Sequence, residues 1–218
     1  MKLAVQEGLL PGRTFAEKLD NAAAFGYDGI EVWGGGLADR VDEVAAAIRG
    51  HSVKISTICS GYEGTLLDAD PKEREKAVAG MKRLLEVGGD LGVVGLIFVP
   101  VFGPPRVPDL SPWKTPVEIE TDLLVELLGP LAEHAERAKC LLLLEPLNRY
   151  ETHFLRRLDD AVRIAKRVKR KGLVVMADFF HMSIEENDIP AALRDAGKLV
   201  RHIHLADSQR LQPGTGHT

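Results

Sequence analysis

Three apolar runs in this chain end in residues able to hold a metal ion. Leu141-Leu142-Leu143-Leu144 ends in Glu145; Val174-Val175-Met176-Ala177 ends in Asp178, with His181 three residues further on; the run from Val200 to Leu205 carries His202 and His204. Two carboxylates and an imidazole, each closing a different apolar segment, are a donor set for a divalent cation. An ionised carboxylate behind four leucines is costly unless something neutralises it. A metal ion does that, and a salt bridge from Arg149 is the plainer alternative. Asp178 has a competing use as the N-cap of the helix that follows, and His181 has one as a packed loop histidine. His202 and His204 differ by two and face the same way on a strand. His204 lies nearer the C-terminal end, while His202 lies one layer deeper, in a structural position. An imidazole ligand favours a transition metal over the all-oxygen shell of magnesium, so manganese leads, with cobalt or magnesium as alternatives. Glu151 and Arg210 follow Glu145 and His204 closely, on loops where they either meet a hydroxylated or phosphorylated ligand or remain solvated surface. The turn Pro213-Gly214-Thr215-Gly216 offers backbone N–H groups to a ligand.

Those residues need a scaffold that brings strand ends together. The strand candidates are Leu3–Gln6, Gly29–Trp33, Val53–Cys59, Val94–Val99, Cys140–Glu145, Leu173–Asp178 and Val200–Ala206. They are rich in Val, Ile and Leu with little alternation, the pattern of strands buried on both faces. Helical patterns lie between them. Val41, Val44, Ala45 and Ile48 make one apolar face. Asp70-Pro71 opens a helix through Val78, Met81 and Leu85. Thr115 and Glu118 have the form of a capping box at the head of a leucine-rich helix. Leu158, Val162, Ala165 and Val168 define another, ended by Lys171-Gly172, and Asn187 to Gly197 holds one more. Strand–helix alternation predicts an α/β fold with a parallel sheet, a barrel or an open doubly wound sheet. Neither GxGxxG nor GxxxxGK[ST] occurs, so nucleotide binding has no support. Active sites lie at the C-terminal strand ends in both architectures, where the polar residues gather here. With no linker or low-complexity tract, residues 1–218 read as one domain.

Composition narrows the partners. The net charge of −4, from 28 basic and 32 acidic residues, gives no reason to expect nucleic-acid binding. No run approaches the roughly 18 apolar residues of a membrane helix, and the N-terminus lacks the apolar core of a signal peptide. Cys59 and Cys140 each sit in an apolar run, as inert buried thiols do. The expected setting is reducing and cytoplasmic.

Three segments in order, Leu-Glu-Pro-Leu-Asn-Arg-Tyr-Glu (144–151), Asp-Phe-Phe-His-Met (178–182) and His-Ile-His-Leu-Ala-Asp-Ser-Gln-Arg (202–210) with its following Pro-Gly-Thr-Gly, resemble the xylose isomerase-like TIM-barrel superfamily. The nearest branch is that of ketose 3-epimerases of tagatose and psicose type and related sugar-phosphate isomerases, including hydroxypyruvate isomerase-like proteins. The resemblance implies a (β/α)8 barrel. It makes Glu145 both metal ligand and acid/base, makes Asp178 and His204 metal ligands, and places His181, Glu151 and Arg210 against substrate hydroxyl and carbonyl groups. It implies a small-molecule sugar substrate, a metal-stabilised enediolate and a homo-oligomer. The family's second catalytic glutamate closes an eighth strand, whereas seven strands are visible here. The expected architecture is therefore a barrel lacking its last βα unit. A longer natural chain is the first explanation; a genuinely short protein or closure by a partner chain are the others. Glu31 and Trp33, ending the second strand, are expected to line the same mouth, and the proline-rich loop Val101–Trp113 to wall it with Phe102 and Trp113. Within the superfamily, an inosose dehydratase-like lyase and a non-catalytic sugar-binding relic remain alternatives. An endonuclease IV-like phosphodiesterase needs extra histidines at the third and fourth strand ends, which Cys59 and Val101 do not supply.

Overall fold

Residues 1–218 are described by a computed structural model. Seven strands, β1 (Ala4–Gln6), β2 (Gly29–Trp33), β3 (Lys54–Cys59), β4 (Gly95–Phe98), β5 (Leu141–Leu144), β6 (Leu173–Asp178) and β7 (Val200–His204), lie side by side in chain order. Every neighbouring pair is parallel. The connections carry helices α1 (Phe15–Ala24), α2 (Val41–Ile48), α3 (Pro71–Leu91), α4 (Pro116–Ala138) and α5 (Leu158–Val168), with α6 (Phe179–Glu185) and α7 (Ile189–Ala196) both between β6 and β7. This is the βα order of a TIM barrel with seven of its eight strands present. The strands fall within two residues of the expected segments at every end.

Alternation along the strands sorts side chains into two layers. Ile30, Val32, Leu96, Phe98, Leu142, Leu144, Val175 and Ala177 point outward into the main core under the helices. Ile97, Leu143, Val174 and Met176 point inward and pack as a separate apolar cluster inside the barrel. The same inward row continues to Glu145 after Leu143, and to Asp178 after Met176. The apolar cluster is thus the floor on which the polar strand ends stand. Burying each such aliphatic side chain is worth about 1.5–3 kcal/mol, enough to hold strands whose last residue is ionisable.

The helices begin where the caps predict. The Asp70 carboxylate accepts from Lys72 N at 2.9 Å, and Thr115 and Glu118 form the expected capping box. No residues are assigned by the sequence to one of the helices, and a second is expected only through its cap. One is α1, opened by a Thr14–Glu17 capping box and anchored by buried Phe15, Leu19 and Ala22. The other is α6, which Asp178 caps by accepting from Phe180 N at 2.8 Å. A third difference concerns the end of α5. It stops at Lys169, which adopts a left-handed conformation (φ 55°), rather than at Lys171-Gly172. Gly172 is held for packing instead, since a Cβ there would lie 2.1 Å from the Ala132 carbonyl oxygen of α4.

A similar close approach joins α3 to α4. A Cβ on Gly89 would meet the Ala138 carbonyl oxygen at 2.0 Å, and that obstacle is backbone, which cannot rotate aside. Gly89→Ala is expected to lower stability by roughly 1–3 kcal/mol through this overpacking. A urea titration should show a lower midpoint with an unchanged slope.

Candidate active site

Glu145 follows the last leucine of β5, and its backbone N–H still donates to Phe98 O of β4 at 3.1 Å. Its side chain is buried. The salt bridge to Arg149 does not form, because Arg149 pairs instead with Glu185 through Nε at 2.7 Å and Nη2 at 3.0 Å. The basic group within 4.0 Å of the Glu145 carboxylate is Nδ1 of His204. Burial, reinforced by the charges of Asp178 and Glu31, pushes the Glu145 carboxyl up to about 8 against the pull of His204 and Arg210.

Asp178 divides its two oxygens. Oδ1 caps α6, and Oδ2 faces His204 Nδ1 at 3.5 Å and His181 Nε2 at 3.9 Å. The capping and site-facing readings of the sequence therefore both hold for one side chain. Burial works against its charge, but the hydrogen bond to His204 and the nearby imidazoles keep its pKa below the ordinary value.

The two histidines beside Asp178 are held differently. His181 Nδ1 lies 3.2 Å from the Asn148 backbone N–H and 2.8 Å from Asn148 Nδ2. It accepts from both, so the proton of the neutral ring sits on Nε2, aimed into the site. Burial lowers the pKa of His181, which keeps that ring neutral. His181 is thereby shaped as a hydrogen-bond donor. His204 presents Nδ1 to Asp178 and Glu145, and Nε2 to both oxygens of Glu31 at 3.1 Å. Burial opposes its charge, yet hydrogen bonds to Asp178 and Glu31 and the surrounding carboxylates raise its pKa to about 10.

Glu151 and Arg210 meet at the rim, with Arg210 Nη1 donating to Glu151 Oε1 at 3.0 Å. Asn148 Nδ2 lies 3.2 Å from the same oxygen, and the Arg210 guanidinium stands 4.8 Å over the Phe180 ring. The loop that carries Glu151 is tied to the loop after β4 by Gly103 N to Glu151 O and His153 N to Gly103 O. A buried Glu120–His153 pair at 2.5 Å reinforces that tie. Phe102 and Trp113, expected to wall the mouth, are exposed. Within the Pro213–Gly216 turn the Gly214 N–H donates to the Asp207 carboxylate at 2.8 Å, and that carboxylate also collects the N–H groups of Ser208 and Thr218 at 2.7 and 3.0 Å.

All six residues singled out from the sequence thus converge on one end of the barrel. Asn148 and Glu31 were not given their full part. Asn148 lies inside the first quoted segment and sets the His181 tautomer. Glu31 accepts from Thr57 Oγ1 at 2.6 Å and Gln6 Nε2 at 3.0 Å, and lies 3.2 Å from His202 Nε2. Its partners are 25 to 173 residues away in the chain, so no local pattern announces them.

The donor set fits a divalent ion. Ligand atoms about 2.1 Å from a six-coordinate ion lie about 3 Å apart when adjacent and about 4.2 Å when opposite. The His204 Nδ1 separations of 3.5 Å to Asp178 and 4.0 Å to Glu145 fall in that range. Glu145, Asp178 and His181 also present atoms within 4.8 Å of one another. His181 must keep its Nε2 proton while Nδ1 accepts from Asn148, whereas His204 can release its Nδ1 proton while Nε2–H serves Glu31, so His204 is the ring with a nitrogen to offer an ion. A buried Glu145 carboxyl whose charge is resisted by burial is the group such an ion would relieve.

A family model described as xylose isomerase-like TIM barrel matches residues 19–218. The chain is 33% identical to the 3-dehydro-D-guloside 4-epimerase of Escherichia coli K12, over 99% of this chain and 83% of that protein. It is 28% identical to a D-psicose 3-epimerase of Enterocloster bolteae, over 93% of this chain and 68% of the relative. Among solved structures, the apo 3-keto-D-glucoside 4-epimerase of E. coli superposes with a TM-score of 0.90 at 31% identity, covering all of this chain and 83% of that one. The D-psicose 3-epimerase of Clostridium cellulolyticum H10, solved with D-tagatose, gives 0.86 at 25% identity, covering all of this chain and 77% of that one. On this evidence the chain belongs to the xylose isomerase-like TIM-barrel family.

Proposed function

We propose that this protein is a divalent-metal-dependent epimerase or isomerase of a keto-sugar, working by proton transfer at the carbon beside the carbonyl. The observation that carries the reading is the meeting of Glu145, Asp178 and His204 Nδ1 above an apolar floor, with the donor His181 and the Glu151–Arg210 pair around them. The similarity to named sugar epimerases supports the reaction class. One of those names places the oxidised carbon at position 3 and the inverted carbon at position 4, next to it. That adjacency is what lets a base remove the proton.

Glu145, Asp178 and His204 would hold the ion, manganese first, with cobalt or magnesium as alternatives. Bound there, the ion supplies positive charge beside the oxygens that become anionic when the neighbouring carbon loses its proton. Glu145 takes that proton from one face of the carbon. Its burial raises its basicity above that of an ordinary carboxylate, which moves it toward the pKa that suits a base near neutrality. His181 donates its Nε2–H to a substrate oxygen, and Asn148 keeps that proton in place. Glu151 and Arg210 bind hydroxyl groups at the rim, an acceptor beside a donor. Inverting a carbon centre also requires a proton on the opposite face; the resemblance assigns that to an eighth-strand glutamate, outside the seven strands here.

Two outcomes test this reading. In deuterated water the protein should wash deuterium into the carbon beside the ketone of D-psicose, D-tagatose or a 3-keto-glucoside. Glu145→Gln should slow that exchange by about 10² to 10⁴-fold with the fold intact by circular dichroism. A Gln variant that exchanges at the wild-type rate sinks the role of Glu145. The second test is ionic. At pH 7 the ion-free site holds Glu145 protonated and His204 as imidazolium, whereas metal ligation needs a carboxylate and a neutral ring. Mn²⁺ binding is therefore expected to release about two protons at pH 7 and to weaken as pH falls. Calorimetry in buffers of different ionisation enthalpy reads the number directly, and heats that do not depend on the buffer would count against this ligand set.

A further inference from the structure

A second polar cluster lies on the far side of His204 from Glu145 and Asp178. It consists of Glu31 from the middle of β2, Thr57 from β3, Gln6 from β1 and His202 from β7. At its centre the Glu31 carboxylate is buried and its acceptor positions are fully used. Gln6 Nε2 donates to Oε1 at 3.0 Å and Thr57 Oγ1 to Oε2 at 2.6 Å. His202 Nε2 lies 3.2 Å from Oε2, and His204 Nε2 lies 3.1 Å from both oxygens. A carboxylate offers about four lone-pair sites, and here each faces a donor.

This arrangement dictates how the His204 ring is used. A nitrogen 3.1 Å from two carboxylate oxygens must carry a proton, because two acceptors cannot share a contact without one. In a neutral imidazole with its proton on Nε2, the lone pair is on Nδ1, and Nδ1 is the atom facing Asp178 at 3.5 Å and Glu145 at 4.0 Å. Turned over about Cβ–Cγ, the ring would put Cε1–H where Nε2–H meets Glu31 and Cδ2–H where Nδ1 meets Asp178 and Glu145, losing both sets of contacts. Glu31 is itself fixed from both flanking strands by Gln6 and Thr57, so the orientation of His204 is set from the side opposite Asp178 and Glu145.

We propose that Glu31 is a positioning residue for the metal centre, fixing His204 as an Nδ1 ligand by accepting its Nε2–H, with Thr57 and Gln6 holding the Glu31 carboxylate. This rests on the metal reading above and adds to it the residue that selects the ligating nitrogen. The carboxylate–histidine–metal relay is a general device by which a ring is oriented and its basicity raised, and losing the outer partner typically costs 10–100-fold in metal affinity.

The test uses the chain labelled with ¹⁵N-histidine and loaded with Zn²⁺ as a diamagnetic probe, with His204 assigned by comparison with His204→Gln. The expected spectrum shows a proton-bearing Nε2 and a metal-shifted Nδ1. A metal-shifted Nε2 overturns this inference while leaving the metal reading standing. A wild-type chain that takes up neither Zn²⁺ nor Mn²⁺ removes both. The second arm is Mn²⁺ affinity by electron paramagnetic resonance. Glu31→Ala should weaken it by about 10–100-fold. Thr57→Val leaves the carboxylate present but loosens it, and should weaken binding by a smaller factor. Glu31→Gln keeps an acceptor and the side-chain volume, and should recover part of what the alanine variant loses. Should Glu31→Ala fail to fold, the Gln and Val variants and the wild-type spectrum still decide the matter. Folded Glu31 variants that bind Mn²⁺ as tightly as wild type overturn the proposal.

Discussion

One imidazole among three buried carboxylates is the constraint around which the mouth of this barrel is arranged. His204 lies 3.1 Å from Glu31, 3.5 Å from Asp178 and 4.0 Å from Glu145. Three carboxylates so close in a largely dry site cannot all ionise against a single cationic ring, and the molecule resolves the conflict unequally. Glu31 and Asp178, both hydrogen-bonded, keep their charge. Glu145, with no such support, is the one whose charge burial resists. The asymmetry leaves Glu145 as the carboxylate nearest to exchanging a proton, which is what its proposed role requires. A divalent ion replacing two protons leaves the cluster's net charge unchanged, so the site is electrostatically prepared for one without being rebuilt.

The backbone beneath makes this possible by separating two kinds of burial. Outward-pointing residues of the strands fill the core beneath the helices, while Ile97, Leu143, Val174 and Met176 fill the barrel interior. Ionisable residues appear only after that interior floor is complete. Their desolvation is therefore partial and directional, with apolar contact below and the loops above. Those loops are themselves secured, by the Gly103–Thr152 bridge and by the Glu120–His153 pair on one side, and by the Asp207 carboxylate gathering backbone N–H groups on the other.

Much of this was legible in the chain itself. Strands buried on both faces write themselves as unbroken runs of Val, Ile and Leu, so all seven were found within two residues. The residues at their ends, Glu145, Asp178 and His204, stood out because a charged group after an apolar run has no cheap explanation. What stayed hidden depends on contacts between distant segments. Glu31 sits within Gly-Ile-Glu-Val-Trp, where it looks like any carboxylate near a strand end; only its contacts with β1, β3 and β7 give it a role. His202 was placed one layer deeper than His204, and there its ring lies beside that same carboxylate. The end of α5 differs for a related reason: Gly172 has the appearance of a helix stop, but what it answers to is the backbone of α4 at Ala132, about forty positions away.

The bond between Glu31 and His204 closes a loop of 173 residues, and this has a consequence for how the protein comes into being. Contacts of such long sequence separation form late, after the entropy of bringing the ends together has been met by nearer pairings. During synthesis β2 emerges long before β7, so Glu31 is made well before the histidines that pair with it. The centre cannot exist in any partly folded form that lacks β7, and an ion that binds only the finished arrangement would add its own binding free energy to the last step of assembly. On the proposed metal reading, cation supply during synthesis would govern the yield of folded protein.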